Sequence, residues 1–308
     1  MENYTRGCGI ANPRATAFHR ENHPPMRLPA QLLVLALLLS ALPARADELR
    51  PLVLVREQNW LIIRGPQVPG GEIRINYLEA YCRGGSTDAD WVAHTVIKHT
   101  SENLSLGGAD NTIALRDTLS DGVAVLHAIT ATADAVTFTL RANNPTDQVS
   151  EVQWAQPCVR LSRFTGFDEA TAGSATDYLT KCFVFLDGQL TRMPTRDWAT
   201  TARYLPGQVW CPKNVPRTDV NPRPLSPLVP SHGLIGCFSA DEKMIFAMAF
   251  EPYQELFQGV ARCLHADLRI GGLAPRETKI IRGKIYLVPN DVPALLARYA
   301  QDFPEHAR

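Results

Sequence analysis

The 308-residue sequence lacks most signatures that announce a chemistry. It has no excess of either charge, with 31 Lys and Arg against 31 Asp and Glu. A chain that grips nucleic acid through its phosphates shows a basic footprint, so no nucleic-acid partner is expected. No Cys-x-x-Cys occurs, which removes the redox motif and the zinc knuckle built on that spacing. After residue 46 there is no Gly-x-Ser-x-Gly elbow, His-Glu-x-x-His, P-loop, Gly-x-Gly-x-x-Gly or EF-hand loop. Those absences exclude the hydrolases, metalloproteases and nucleotide or calcium binders that depend on them. On this reading no cofactor and no metal site are expected.

The sequence is also without an apolar run of the ~20 residues that a spanning helix needs. What it has is shorter. After Met26 and Arg27 comes the apolar stretch 28–42, then Pro43-Ala44-Arg45-Ala46. A basic start, a short apolar core and a small-x-small end are the three parts of a secretory signal peptide, with cleavage before Asp47. The expectation is therefore a signal peptide over 26–46 and a secreted or periplasmic protein with no membrane span after cleavage. Residues 1–25 carry no periodic apolar pattern and read as a non-native extension or a disordered segment. Residues 47–308 read as a single domain, long enough to bury a core without help from a metal.

Removing residues 1–46 takes away five arginines and two acids, leaving 26 basic and 29 acidic side chains. It also removes Cys8 and leaves Cys82, Cys158, Cys182, Cys211, Cys237 and Cys263. An even number of cysteines in an exported chain permits disulfides, and the spacing does not choose among the pairings. Buried free thiols are the other reading, and several of these cysteines sit in apolar strand patterns.

Most of residues 47–308 reads as short strands between turns. Ile73, Ile75 and Tyr77 alternate with Arg74 and Asn76, and Val136, Phe138 and Leu140 alternate with Thr137 and Thr139. This period of two is that of a half-buried strand. Further strands are expected at Trp60–Arg64, near Val123–Ile129, and at Val152–Leu161, Leu179–Leu186, Gly233–Phe238, Met244–Phe250, Ala261–Ile270 and Lys279–Val288. Regular turn punctuation predicts an all-β sandwich or barrel. One helix is expected near the C-terminus. Asp291 caps it, Pro293 suits its first turn, and Val292, Leu295, Leu296, Tyr299 and Phe303 form a stripe at helical spacing. Pro304 stops it. Between Cys211 and Pro230 lie six prolines, which excludes regular structure over that length. It reads as an ordered loop that walls or covers a site.

A resemblance rests on two stretches. The first is Ala135–Arg141, then Asn143-Asn144-Pro145, then Val152–Pro157. The second is Cys263-Leu264-His265-Ala266-Asp267, the turn Gly272-Leu273-Ala274-Pro275-Arg276-Glu277-Thr278, and Gly283-Lys284-Ile285-Tyr286. Together they resemble the closing pattern of galactose mutarotase-like supersandwich proteins, and of secreted bacterial proteins that share it. In that family a late strand leads through a Leu-x-Pro-Gly-Glu turn into a final strand. Here Arg276 stands at the Gly position. The resemblance implies a large antiparallel β-supersandwich with a carbohydrate-sized groove. It also implies that mutarotases of the family use a His acid and a Glu base, two residues that no motif places in this chain.

Candidate site residues follow from side-chain chemistry. Glu251 ends an apolar strand and is the candidate base. His265 is a candidate acid that shares a strand face with Asp267, a pairing that would fix its tautomer. His232, after the proline-rich segment, is a second candidate acid. Trp154 and Gln156 share a strand face and would supply an aromatic plate and an amide to a sugar. Gln254, Arg203 and Trp210 are further binding candidates, Arg203 suiting an acidic sugar. His127 keeps register with Val125 and Ile129 and reads as a core histidine. The preferred expectation is carbohydrate binding outside the cytoplasm. The alternatives are a sugar epimerase working by general acid–base catalysis and an envelope structural or assembly protein.

Overall fold

The computed structural model describes residues 50–106, 111–167, 176–196, 198, 208–220, 224–259 and 261–306. The expected signal peptide at 26–46, the segment 1–25 and Arg203 lie outside the described residues.

Period-two patterning folds as predicted, into strands. In chain order they are β1 (Val53–Glu57), β2 (Trp60–Arg64), β3 (Glu72–Arg83), β4 (Val96–Ile97), β5 (His99–Leu106), β6 (Thr112–Leu119), β7 (Ala124–Ala131), β8 (Ala135–Asn143) and β9 (Val152–Arg160). Then come β10 (Cys182–Leu186), β11 (Gln189–Arg192), β12 (Val209–Trp210), β13 (Pro230–Phe238), β14 (Met244–Glu251), β15 (Tyr253–Gln258), β16 (Cys263–Arg269) and β17 (Thr278–Pro289). They form two antiparallel sheets. An eight-stranded sheet runs β1-β2-β3-β9-β16-β15-β12, with β4 paired to β3. A nine-stranded sheet runs β11-β10-β13-β14-β17-β8-β7-β6-β5.

The sheets pack face to face over one continuous core. Tyr81, Ala155, Val159, Leu264 and Leu268 enter it from the eight-stranded sheet, and Phe138, Phe246, Met248, Phe250 and Ile285 from the nine-stranded one. Because strand side chains alternate, every second residue of β9 and β16 faces away from that core. The outer face of the nine-stranded sheet is covered by the helix Val292–Asp302, whose Leu295 and Tyr299, with the adjoining Phe303, pack on Phe183, Phe185, Ala247 and Tyr286. Asp291 caps it by accepting a hydrogen bond from the Ala294 amide at 3.0 Å. All-β architecture with one short C-terminal helix is thus what the sequence predicts. Among the described residues no helix is long and apolar enough to cross a membrane.

Two elements differ from the sequence expectation. Leu179–Lys181 is a helical turn leading into β10 rather than part of the strand. Glu251–Glu255, expected as a turn beyond a strand end, is a crossing between sheets. β14 ends at Glu251 in the nine-stranded sheet, and β15 starts at Tyr253 in the eight-stranded one. Pro252, which has no amide hydrogen to give a ladder, stands at the break. Arg276, at the position of the family's Gly, has φ 64°, the left-handed conformation that glycine favours. All six cysteines after residue 46 are buried free thiols.

Candidate binding cavity

β9 and β16 lie side by side in the middle of the eight-stranded sheet. Their register pairs Leu264 with Val159 and Leu268 with Ala155, which sets His265 opposite Cys158 and Asp267 opposite Gln156. These residues alternate with the core residues, so Gln156, Cys158, Cys263, His265 and Asp267 share the outer face. On the far side of β16, Glu255 of β15 stands opposite Asp267, and Phe257 opposite His265. The Phe257 ring stacks on the His265 imidazole at 3.9 Å and 12°.

An open cavity of about 490 Å³ lies on this face. Gln156, Cys158, Cys263 and His265 form its floor, with Glu79, Trp91, Lys98 and Arg160 around them. Gln156 donates to the Glu79 carboxylate at 2.9 Å. Trp91 follows the cap Asp90, whose carboxylate accepts from the Ala93 amide at 2.7 Å and turns the chain over the sheet. A second cavity, of about 520 Å³, is lined by Arg83, Glu151, Gln153 and Lys279 among others. There Lys279 is engaged with the carbonyls of Ile270, Gly271 and Gly272. None of its lining acids or bases is buried.

The floor of the first cavity is electrostatically unusual. Cys263 Sγ lies 3.3 Å from His265 Nε2, and His265 Nδ1 lies 3.7 Å from Asp267 Oδ1. Hydrogen bonding from Cys158, against the cost of burial, holds the Cys263 thiol well below its ordinary pKa, with His265 adding to the effect. The same hydrogen bond holds Cys158 up as a thiol. Burial alone would lower the His265 imidazole, but Cys263 and Asp267 outweigh it and raise it to about 9. This side of the sheet therefore carries a desolvated thiolate–imidazolium pair with a carboxylate behind it.

Gln156, His265 and Asp267 are brought together on this face as their strand spacing implied. Gln254 is on the same sheet but fully buried, donating to the Asp219 carbonyl at 3.0 Å and accepting from Arg269 at 2.6 Å. Asp219 belongs to the proline-rich segment. That segment is ordered over 208–220, where Val215 and Val220 pack on Phe257, and Ser86 and Thr87 donate to its carbonyls. It covers β15 beside the cavity.

Two indoles expected to meet a sugar are elsewhere. Trp154 is 0% exposed, packed with Ala80 and Cys82, and Trp210 is 0% exposed in the core between the sheets. Neither offers a ring face to solvent. The indole on the cavity is Trp91, its ring 6.3 Å from that of Trp154.

Glu251 and His232 sit under the C-terminal helix and are not brought to His265. Glu251 bonds His306 Nε2, whose Nδ1 in turn meets the Tyr299 hydroxyl. His232 lies between the rings of Phe185 and Tyr299, at 4.6 and 4.7 Å. Burial, with His306 nearby, lowers its pKa to about 4. The acid–base partnership of Glu251 with His265 therefore has no geometry here, because the two belong to different sheets.

Cys158, Cys263, Glu79 and Trp91 were not singled out from the sequence. Cys263-x-His265 was visible as a same-face pair, but its partner Cys158 belongs to another strand, and only strand pairing discloses it.

No protein-family model matches the chain, and no curated protein matches it. Among solved structures, the chain is similar to a "putative aldose 1-epimerase" from Escherichia coli K12. The identity is 12%, with 77% of this chain and 98% of that chain covered and a TM-score of 0.37. It is also similar to the Slr1438 protein from Synechocystis sp. PCC 6803, at 11% identity, covering 78% of this chain and 96% of that chain, with a TM-score of 0.40.

Proposed function

We propose that this chain binds a carbohydrate in the cavity on the outer face of the eight-stranded sheet, and that it does so outside the cytoplasm once residues 26–46 are removed. The observation that carries this reading is the combination, around one open cavity of about 490 Å³, of the Trp91 indole with the hydrogen-bonded Gln156–Glu79 pair. An indole offers its face to the C–H side of a sugar ring, while an amide and a carboxylate take up neighbouring hydroxyls. Arg160 and Lys98 at the rim favour an acidic sugar over a neutral one, since both present cations to the same space.

The test is saturation-transfer NMR on the purified protein against neutral and acidic mono- and oligosaccharides. Transfer to a sugar, weakened in Trp91→Ala and in Gln156→Ala while the fold is retained, supports the reading. Silence across the panel overturns it. The same spectra read anomer exchange, and acceleration that survives Glu251→Gln would make the cavity, rather than Glu251, the seat of any epimerase activity.

A further inference from the structure

We infer that Cys158, Cys263 and His265 form a binding site for a soft divalent cation of the zinc class, with the fourth coordination position facing the cavity. This goes beyond carbohydrate binding and does not depend on it.

The donor set comes first. Two thiols and an imidazole are the ligands that zinc and its chemical relatives prefer over magnesium or calcium. Three protein ligands plus one open position is the arrangement of zinc sites that act on a bound molecule rather than only hold a fold. The two sulfurs and a ring nitrogen lie within 4.8 Å of one another. Zinc–sulfur and zinc–nitrogen bonds of about 2.3 and 2.0 Å in a tetrahedron place ligand atoms roughly 3.5–3.8 Å apart. Cys263 Sγ to His265 Nε2, at 3.3 Å, is already close to that edge length.

The strands explain why these atoms meet. Cys263 and His265 are two apart on β16 and point the same way, and Cys158 of β9 stands across from His265. A triangle of donors on a flat sheet face leaves one direction open, and here that direction is the cavity.

The surroundings fit a ligand imidazole. Asp267 Oδ1 is 3.7 Å from His265 Nδ1, so the carboxylate orients the ring and leaves Nε2 for the ion. Phe257, stacked at 3.9 Å, fixes the ring plane. Gly259 lies over the cluster, its amide bonded to the Cys263 carbonyl at 2.8 Å. A Cβ at Gly259 would collide with Cys263 Sγ and stand 3.1 Å from His265 Nε2, so the glycine leaves the sulfur its room. Two thiolates would also neutralise a dication in a region with little access to water.

A second group among the described residues, Glu251, Glu305 and His306, differs in kind. Both His306 nitrogens are already engaged, by Tyr299 and Glu251.

The experiment is a cobalt(II) titration of the reduced, chelator-stripped full chain. A thiolate-to-cobalt charge-transfer band in the near ultraviolet, with tetrahedral bands in the visible, should saturate at one ion per chain and be displaced by zinc. Cys158→Ser and Cys263→Ser should each diminish the band. Asp267→Asn, acting through His265, should keep the spectrum but weaken affinity about 10–100-fold. Cys182→Ser, a buried thiol of the nine-stranded sheet, should change nothing. No band in the reduced wild type overturns the site, as does a band unchanged in both ligand variants. Should the ligand variants fail to fold, X-ray absorption of the zinc-loaded wild type takes their place. A shell of two sulfurs with nitrogen or oxygen supports the site, and a shell without sulfur overturns it. Because none of these readouts involves a sugar, failure here and failure of the carbohydrate reading are separate outcomes.

Discussion

Tyr81 donates its hydroxyl to Asp117 Oδ2 at 2.6 Å across the core that joins the two sheets. His127 Nε2 stands 3.1 Å from the same oxygen, Ser101 donates to the other oxygen at 2.6 Å, and the Tyr77 hydroxyl meets His127 Nδ1 at 2.9 Å. A carboxylate in the interior is held by four side chains from four strands.

That network makes stability depend on acid. Burial pushes the Asp117 carboxyl up, but His127, Ser101 and Tyr81 outweigh it and hold it down at about 2. A depressed carboxyl contributes stability that is present above its unfolded value and lost as pH falls through the folded one. The contribution, about 2–3 kcal/mol, should be complete above roughly pH 4 and decline toward pH 2. Urea melts of wild type and Asp117→Asn at pH 7 and pH 3 check it. The variant should be less stable at pH 7, and the gap should narrow at pH 3.

His232 works in a higher window. It is held neutral, with its pKa lowered to about 4, while the unfolded chain takes up its proton near the ordinary value of 6.5. Between those values the unfolded state binds the proton and the folded state does not, so stability falls as pH drops from about 6.5 to 4. The loss is on the order of 3 kcal/mol for a group mostly out of water. His232→Phe, which keeps an aromatic ring between Phe185 and Tyr299, should flatten this part of the pH–stability curve. An unaltered slope would refute the assignment.

The two neighbouring indoles should separate cleanly. Trp154→Ala removes a fully buried ring and should cost about 3–5 kcal/mol, read as a lowered melting midpoint. Trp91→Ala should cost far less and should weaken sugar binding. If Trp91→Ala left binding intact, Trp91 would not be the contact surface.

Gly283 pairs with Phe250 across β14 and β17, and the Phe250 ring lies over it. Any side chain at Gly283 would collide with that ring, which sits in the core against Phe138 at 5.6 Å. Gly283→Ala should destabilise the chain by about 1–3 kcal/mol through overpacking. The double variant with Phe250→Leu should recover part of the loss, which thermal melts of the set would show.

What the sequence disclosed was whatever period-two patterning can carry. β2 and β9 emerge within a residue of their expected limits because each alternates or runs apolar between turn residues. β5 was not foreseen. Its residues are almost all exposed, so His99–Leu106 carries no buried stripe for a pattern to follow. β15 escaped for the opposite reason. All six residues are buried, yet Gln254, Glu255 and Gln258 give it the composition of a turn. The site was legible only as far as one strand reaches. His265 and Asp267 share a face by spacing alone, and so do Trp154 and Gln156. That Cys158 faces His265, and that Glu251 and His265 are in different sheets, are facts about pairing between distant segments. No local pattern contains them. Nor does spacing tell a buried indole from an exposed one, and there Trp91 and Trp154 exchange roles.

The register between β9 and β16 has a consequence in time as well as in space. The cavity floor is assembled from strands far apart along the chain, and β15 and β16 are among the last to be made. Contacts of such long range close late, because the intervening chain must be ordered first. A chain emerging N-terminus first therefore has no partial version of this floor. Thiols, imidazole and amide remain dispersed on separate segments until the last strands pair. Capacity to hold a ligand there should appear in a single step with completion of the sandwich, and ligand capture would report that the whole chain has folded.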